Sequence, residues 1–163
     1  MRQTKKLLGL TAVVLLAACT DNSLTNPFQD AVGSYDLTVY AGARIPANYT
    51  ISPGDPAFAN DAPNGGTLTV TGGNLDLNSN GTFTEVNNYV ITPTGGTGVN
   101  RSFVSNGTWT IQNNTTLFLD APAQNGFGPR SVQGTIDLAG SVDTIRYQED
   151  NGNGGFDSFE YQR

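Results

Sequence analysis

Side chains that could bind a metal ion recur at regular intervals near the carboxyl end of the sequence. Counted from Glu149, oxygen-bearing side chains occupy positions 1, 3, 5, 9 and 12, with a glycine at position 6; they are Glu149, Asn151, Asn153, Asp157 and Glu160. Calcium loops use this spacing because the cation takes about six to eight oxygens and the glycine allows a sharp turn. However, such loops begin with Asp and are flanked by helices. We therefore favour a polar turn between two strands.

A second stretch, Asp76 to Gly81, resembles only the start of a calcium loop. Asn87 stands at its twelfth position, where an acid is required. Alternating leucines and the Asn80-Gly81 pair explain this stretch as a β-hairpin. The chain has no His and one Cys, which excludes zinc sites built on those ligands. We expect no bound metal and no cofactor.

Catalytic groups are also scarce. Without His, and without Lys beyond Lys6, the sequence offers no imidazole base, Schiff-base lysine or phosphate-loop lysine. Fourteen acids could form the carboxylate pair of a glycoside hydrolase, which requires separations of about 5–5.5 or 6.5–9.5 Å. Most of them stand beside Gly, Asn or Thr in predicted turns or at outward positions, which is typical of solubilising residues. We expect a protein that is not an enzyme.

The charge distribution argues against nucleic acid as a partner. The formal net charge is −6, and three of the eight basic residues, Arg2, Lys5 and Lys6, lie within the first six positions. The remaining sequence has no basic cluster that could neutralise phosphates.

The amino terminus has the pattern of an export signal. The basic residues precede an apolar run over residues 7–18, which is shorter than the roughly 20 residues that a membrane-spanning helix needs and fits a secretory signal. Leu16-Ala17-Ala18-Cys19 resembles the lipobox of bacterial lipoproteins. The resemblance implies cleavage before Cys19 and acylation of its sulfur and its amine. The alternative is an ordinary signal peptide followed by an unrelated Cys.

This pattern predicts three segments: a signal peptide over 1–18, a flexible polar tether over 19–31, and a folded domain over 32–163. Several acyl chains on Cys19 would hold the protein on a membrane. We therefore predict a lipoprotein of the bacterial cell envelope, anchored to a membrane through Cys19. In a Gram-negative cell it would lie on the periplasmic or surface face of the outer membrane.

The folded domain reads as β-strands throughout. From Val32 onward, apolar and polar residues alternate with a period of two, and Gly/Asn clusters separate the alternating segments. No helical crossovers interrupt them, which favours antiparallel pairing. We predict an all-β domain with a single up-and-down barrel of eight or nine strands, since closure removes exposed edges. The alternative is a two-sheet sandwich. The long loop over 42–66 could cover one mouth of a barrel.

Several short motifs resemble those of small bacterial lipocalin-like lipoproteins, across Val32 to Arg163. The motifs are Gly33-Ser34-Tyr35, Ile45-Pro46-Ala47, the hairpin Asn74-Leu75-Asp76-Leu77 to Asn80-Gly81-Thr82-Phe83, Asn106-Gly107-Thr108-Trp109, and the ending Phe159-Glu160-Tyr161-Gln162-Arg163. Asn80 replaces the usual Asp, and the loop after Pro46 is long. The resemblance implies a calycin-type barrel and no particular activity.

The resemblance also implies a sealed barrel end. In lipocalins an aromatic residue on the first strand packs beneath an Arg from near the chain end. Here Tyr35 would be the aromatic residue, and Arg163 or Arg146 the cation, in a contact worth about 0.5–2 kcal/mol. The alternative is that Tyr35 is an ordinary core residue and both arginines are solvated.

Two functions remain open for such a barrel. A small barrel either fills its interior with side chains or keeps room for one ligand. The first hypothesis is a binding module for a small apolar molecule; the second is a structural or protein-interaction lipoprotein with a filled barrel. Seven aromatic residues could line a pocket mouth, contact carbohydrate or complete the packing: Tyr40, Tyr49, Phe58, Tyr89, Phe103, Phe118 and Phe127. For either function we assume that the protein is a monomer.

Overall fold

A computed structural model describes residues 26–124, 128–150 and 155–163 of the chain. In these residues one short helix, α1 (Pro27–Ala31), precedes ten strands and one 3-10 turn (Pro56–Phe58). The strands are β1 (Gly33–Tyr40), β2 (Ala43–Arg44), β3 (Ala47–Ile51), β4 (Gly66–Leu77), β5 (Thr82–Pro93), β6 (Val99–Gln112), β7 (Thr116–Ala121), β8 (Arg130–Asp137), β9 (Thr144–Asp150) and β10 (Phe156–Gln162). None of the helices in the described residues is long and apolar enough to cross a membrane.

Eight of the strands close into an antiparallel barrel. Strands β4 to β10 pair in chain order, and β1 pairs with both β10 and β4, which completes the ring. The short strands β2 and β3 lie outside the ring, on β1 and β4. The predicted all-β, up-and-down, lipocalin-like barrel is confirmed, and closure excludes the sandwich. Strands β2 and β3 occupy part of the segment predicted as the 42–66 loop.

Two β-bulges decide which side chains point into the barrel. One lies between Leu37 and Val39 of β1, and the other between Val70 and Gly72 of β4. A bulge adds one residue to a strand and so changes which face the following side chains occupy. As a result Tyr40, not Val39, continues the inward face of Tyr35 and Leu37. Val70 likewise faces inward, although strict alternation from the inward-facing Leu75 would turn its side chain outward.

One end of the barrel is filled and capped. The main apolar cluster fills it with residues that include Tyr35, Leu77, Phe83, Trp109 and Ile145, and the same cluster continues to Val70 and Tyr147 in the other half. Helix α1 covers this cluster: Ala31 is fully buried, and the ring of Phe28 stacks on Trp109 at 4.3 Å with an angle of 7° between the planes. The apolar contact explains why a segment without sequence periodicity is helical. The tether predicted for 19–31 therefore includes an ordered helix at its end; residues 19–25 lie outside the described residues.

The segment between β3 and β4 packs beside the opposite end. Ile51, Ala62 and Ile91 form a separate small apolar cluster, against which Phe58 and Tyr89 pack. An ion pair between Arg101 and Asp61 joins the same segment to β6. The segment is thus held at the rim of the open end, which is the position expected for the long loop.

Candidate functional site

The open half of the barrel contains a cavity of about 330 Å³. Its walls are mostly aromatic and aliphatic, with an amide and two carboxylates: Tyr40, Ala57, Phe58, Leu68, Val70, Asn87, Tyr89, Phe103, Glu149, Asp157 and Phe159. A neighbouring cavity of about 270 Å³ shares Tyr40, Phe58 and Asp157 and adds Tyr49 and Asp55. We call the two together the mouth cavity. Its volume lies in the range of small-molecule sites.

The two bulges build the wall of the mouth cavity. Because of them, three side chains of the wall point into the barrel. They are Tyr40, the last residue of β1, and Leu68 and Val70 in the first half of β4. The cavity therefore depends on the places where the regular alternation of the strands is broken.

The aromatic rings of the wall hold one another in place. Tyr40 packs in a T-shaped arrangement with both Tyr49 and Phe159, with ring centroids 5.3 and 5.1 Å apart. Phe159 in turn stacks on Tyr147 at 4.8 Å. Such pairs contribute about 0.5–1.5 kcal/mol each beyond the area they bury. The rings therefore form an ordered apolar surface.

A buried acid, Glu85, lies behind the cavity wall, where it contacts the lining residue Asn87. Glu85 is fully buried, yet its carboxylate is well satisfied. It accepts hydrogen bonds from Asn87 at 2.8 Å, Tyr161 at 2.7 Å and Tyr147 at 2.5 Å, and it forms an ion pair with Arg130. Burial, then the Glu85 charge, raises the pKa of the Tyr147 and Tyr161 hydroxyls well above their ordinary value, so both remain donors.

Arg130 connects the buried Glu85 to Glu149 on the cavity wall. Its guanidinium pairs with both Glu85 and Glu149 and lies 5.9 Å from the ring centre of Phe103 and 5.4 Å from that of Tyr147. Burial alone would lower the pKa of Arg130, but the Glu85 carboxylate raises it above its usual range. In the described residues no buried side-chain polar atom lacks a partner, so the network is complete without a ligand.

Asp157 adds a second carboxylate to the wall. It accepts a hydrogen bond from the Tyr40 hydroxyl at 2.6 Å. Burial and then this carboxylate raise the pKa of Tyr40, and the same two causes raise the pKa of Tyr49. The hydroxyl of Tyr49 donates to the backbone oxygen of Tyr40.

The closed end brings together two of the three residues expected to seal it. The guanidinium carbon of Arg163 lies 4.7 Å from the ring centre of Tyr35, while its nitrogens reach Asp143 and the backbone oxygen of Val32. Burial raises the pKa of Tyr35 to about 12. A side chain at Gly33 would collide with Arg163, so a glycine suits this position.

Arg146, the other candidate, lies away from Tyr35. It pairs with Glu160 at 2.7 Å, and its side chain is 54% exposed. Because β9 and β10 alternate, this pair faces outward while Tyr147 and Phe159 face inward.

The calcium pattern is only partly within the described residues, since Asn151 and Asn153 lie outside them. Of the others, Glu149 pairs with Arg130, Asp157 accepts the Tyr40 hydroxyl, and Glu160 pairs with Arg146. The structure therefore puts Glu160 on the outer face, apart from the two acids of the mouth cavity. No group of three or more potential metal ligands occurs in the described ranges. Cys19 also lies outside them.

Of the seven aromatic residues considered from the sequence, Tyr40, Phe58, Tyr89 and Phe103 line the larger cavity and Tyr49 the smaller. Phe118 pairs with Thr110 and Gln133 on a half-buried position of β7, and Phe127 lies outside the described residues.

Sequence reasoning missed Glu85 and Arg130. The sequence does contain a signal for Glu85. It stands two residues after Phe83 on β5, so alternation puts both side chains on the same, buried face.

Comparison of the chain with protein-family models, with curated proteins and with solved structures finds no match.

Proposed function

We propose that this chain is a membrane-tethered, non-enzymatic binding protein of the bacterial cell envelope, whose mouth cavity takes one small, largely apolar molecule. The proposal rests on one observation above all. Side chains fill the barrel at the end capped by α1, whereas a cavity of about 330 Å³ with aromatic walls remains at the other end. A barrel that served only as a filled scaffold would have no need of this arrangement.

The shape of the cavity supports a binding role. Binding sites for small molecules are concave, mainly apolar and provided with a few polar groups that fix orientation. Here the rings of Tyr40 and Phe159 supply the apolar wall, and Asn87 and Asp157 supply polar groups. We infer no catalytic step, because the buried Glu85 and Arg130 are fully engaged with each other and with their neighbours.

The tether belongs to the same proposal. The lipobox-like sequence places an acylated Cys19 seven residues before Asn26. From there the chain enters the barrel through α1, at the closed end. An anchor at Cys19 would therefore leave the open mouth on the far side of the barrel from its attachment point, accessible to small molecules.

Two measurements test the binding role. Native mass spectrometry of the protein purified from its own host should find a co-purified small molecule. In addition, Leu68→Trp should fill the larger cavity and abolish binding of a fluorescent apolar probe. Thr110→Trp, at an exposed position of β6, is the matched control and should bind like the unaltered protein.

A ligand-free mass together with equal probe binding by both tryptophan variants would overturn the proposal. The protein would then be better explained as a structural or protein-interaction lipoprotein. Mass analysis of the same preparation also tests the anchor, since acylation adds the mass of the lipid to a chain that begins at Cys19.

A further inference from the structure

The charges around the mouth cavity point to a particular class of ligand. Three carboxylates line its two parts: Glu149, Asp157 and Asp55. No Lys or Arg lines either part, as far as the described residues show. The segments 125–127 and 151–154 hold only Asn, Gly and Phe, so they add no charge.

Two cations lie near the cavity in the described residues, and both are already compensated: Arg101, at the rim, pairs with Asp61. Arg130 lies behind the wall and pairs with Glu85 and Glu149. Counting Asp55 and Asp157 as well, five carboxylates face two guanidinium groups in this half of the barrel. An anionic ligand would therefore meet a negative surface with no cation to pair with it, and burying its charge there would be costly.

A cation would meet two favourable features. Aromatic faces attract cations through their quadrupoles, and carboxylates attract them directly, more strongly where water is excluded. The protein itself shows the combination nearby, because the Arg130 guanidinium lies against Phe103 and Tyr147 while pairing with Glu85. The raised pKa values of Tyr40 and Tyr49, caused by burial and then by Asp157, are consistent with a negative potential in the cavity.

Resting on the proposed function, we infer that the mouth cavity selects amphipathic cations: small molecules with an apolar body and an ammonium group, the latter directed at Asp157 among the aromatic rings. The polar end of the ligand would then be recognised by charge and its body by the apolar walls.

The test uses three matched probes on the full-length protein in neutral detergent, with detergent alone as the blank. Each probe is a dansyl group on the same hexyl chain, ending in trimethylammonium, hydroxyl or carboxylate. At low salt the ammonium probe should bind about tenfold more tightly than the carboxylate probe, with the hydroxyl probe between them. About 0.5 M salt should narrow the difference.

Variants identify the groups responsible. Asp157→Asn should reduce the ammonium preference about threefold and leave the hydroxyl probe nearly unchanged. Asp55→Asn should have the same effect to a smaller extent; it keeps the side-chain oxygen that accepts from the backbone of Ala57, so it preserves the local fold. Asp36→Asn, exposed on β1, is the charge-matched control and should change nothing.

The outcomes separate this inference from the proposed function. If the carboxylate probe binds as tightly as the ammonium probe, or if neither acidic variant changes the ratio, the inference is wrong while a binding role stands. If none of the three probes binds, both are wrong.

Discussion

Glu85 lies completely inside the barrel, and its charge is compensated only by the side chains around it. Three neutral donors and the Arg130 guanidinium surround the carboxylate. Removing one partner of a buried ion pair is costly because the other charge remains buried without compensation. A pair on the surface has no such penalty, since water and salt replace the lost partner.

Arg130→Met should therefore lower the free energy of unfolding by about 3–5 kcal/mol, measured by urea denaturation. Arg146→Met removes a similar ion pair, but from the outer surface, and should cost less than about 1 kcal/mol. The double variant Glu85→Gln/Arg130→Met should recover part of the loss, because no charge remains buried. Equal effects of the two single variants would show that the Glu85–Arg130 pair is unimportant for stability.

At the scale of elements, alternation predicts the strands but not their irregularities. The period of two and the Asn80-Gly81 turn were sufficient to expect an antiparallel barrel. Continued without interruption, however, the same period puts Val39 inside and Tyr40 outside. The structure reverses this because Thr38 and Thr71 are extra residues at the bulges. In β4 the pair Gly72-Gly73 follows the bulge, and glycine within a strand often marks one. In β1 no such signal stands beside Thr38.

Helix α1 is a second feature that the local sequence does not predict. Five residues that include Pro27 do not form a stable helix by propensity. This helix is held by its tertiary contacts: Phe28 on Trp109, and buried Ala31, whose backbone oxygen accepts the Tyr35 hydroxyl at 2.8 Å. Such contacts become visible only when the barrel has been assembled.

Removing the ring of Phe28 should release the helix. Phe28→Ala should lower the free energy of unfolding by about 1–3 kcal/mol, since a half-buried ring loses less than a fully buried one. It should also shift the emission of Trp109 to the red as the indole meets water. The chain has a single Trp, so the fluorescence reports on this site alone. Phe118→Ala, also half-buried, should leave the emission unchanged. An unchanged spectrum in Phe28→Ala would mean that the helix does not depend on this contact.

At the scale of the whole molecule, the fold shields its tyrosines from water, although Tyr49, on β3 outside the ring, and Tyr89 are only half-buried. All six tyrosines of the chain have a raised pKa, in each case with burial as the largest cause: Tyr35, Tyr40, Tyr49, Tyr89, Tyr147 and Tyr161. A negatively charged interior adds to the effect, because Glu85 and Asp157 oppose the formation of a phenolate. One architecture thus accounts for both the ordered aromatic walls and the resistance of their hydroxyls to ionisation.

This shielding predicts how stability depends on pH at the alkaline end. In the unfolded chain tyrosines ionise near pH 10, whereas in the folded protein they keep their protons to higher pH, about 12 for Tyr35. A raised pKa in the folded state contributes stability that is complete below pH 10 and is lost as the pH rises through the folded values. Absorbance at about 295 nm, which follows phenolate, should therefore show little ionisation near pH 10 in the folded protein, confined to the less buried Tyr49 and Tyr89. It should rise steeply at higher pH, coincident with loss of β-structure by circular dichroism. The chain in denaturant should titrate normally. Ionisation of more than two of the six tyrosines near pH 10 while the β-structure is intact would show that the barrel interior admits water and does not raise the cost of charge as described.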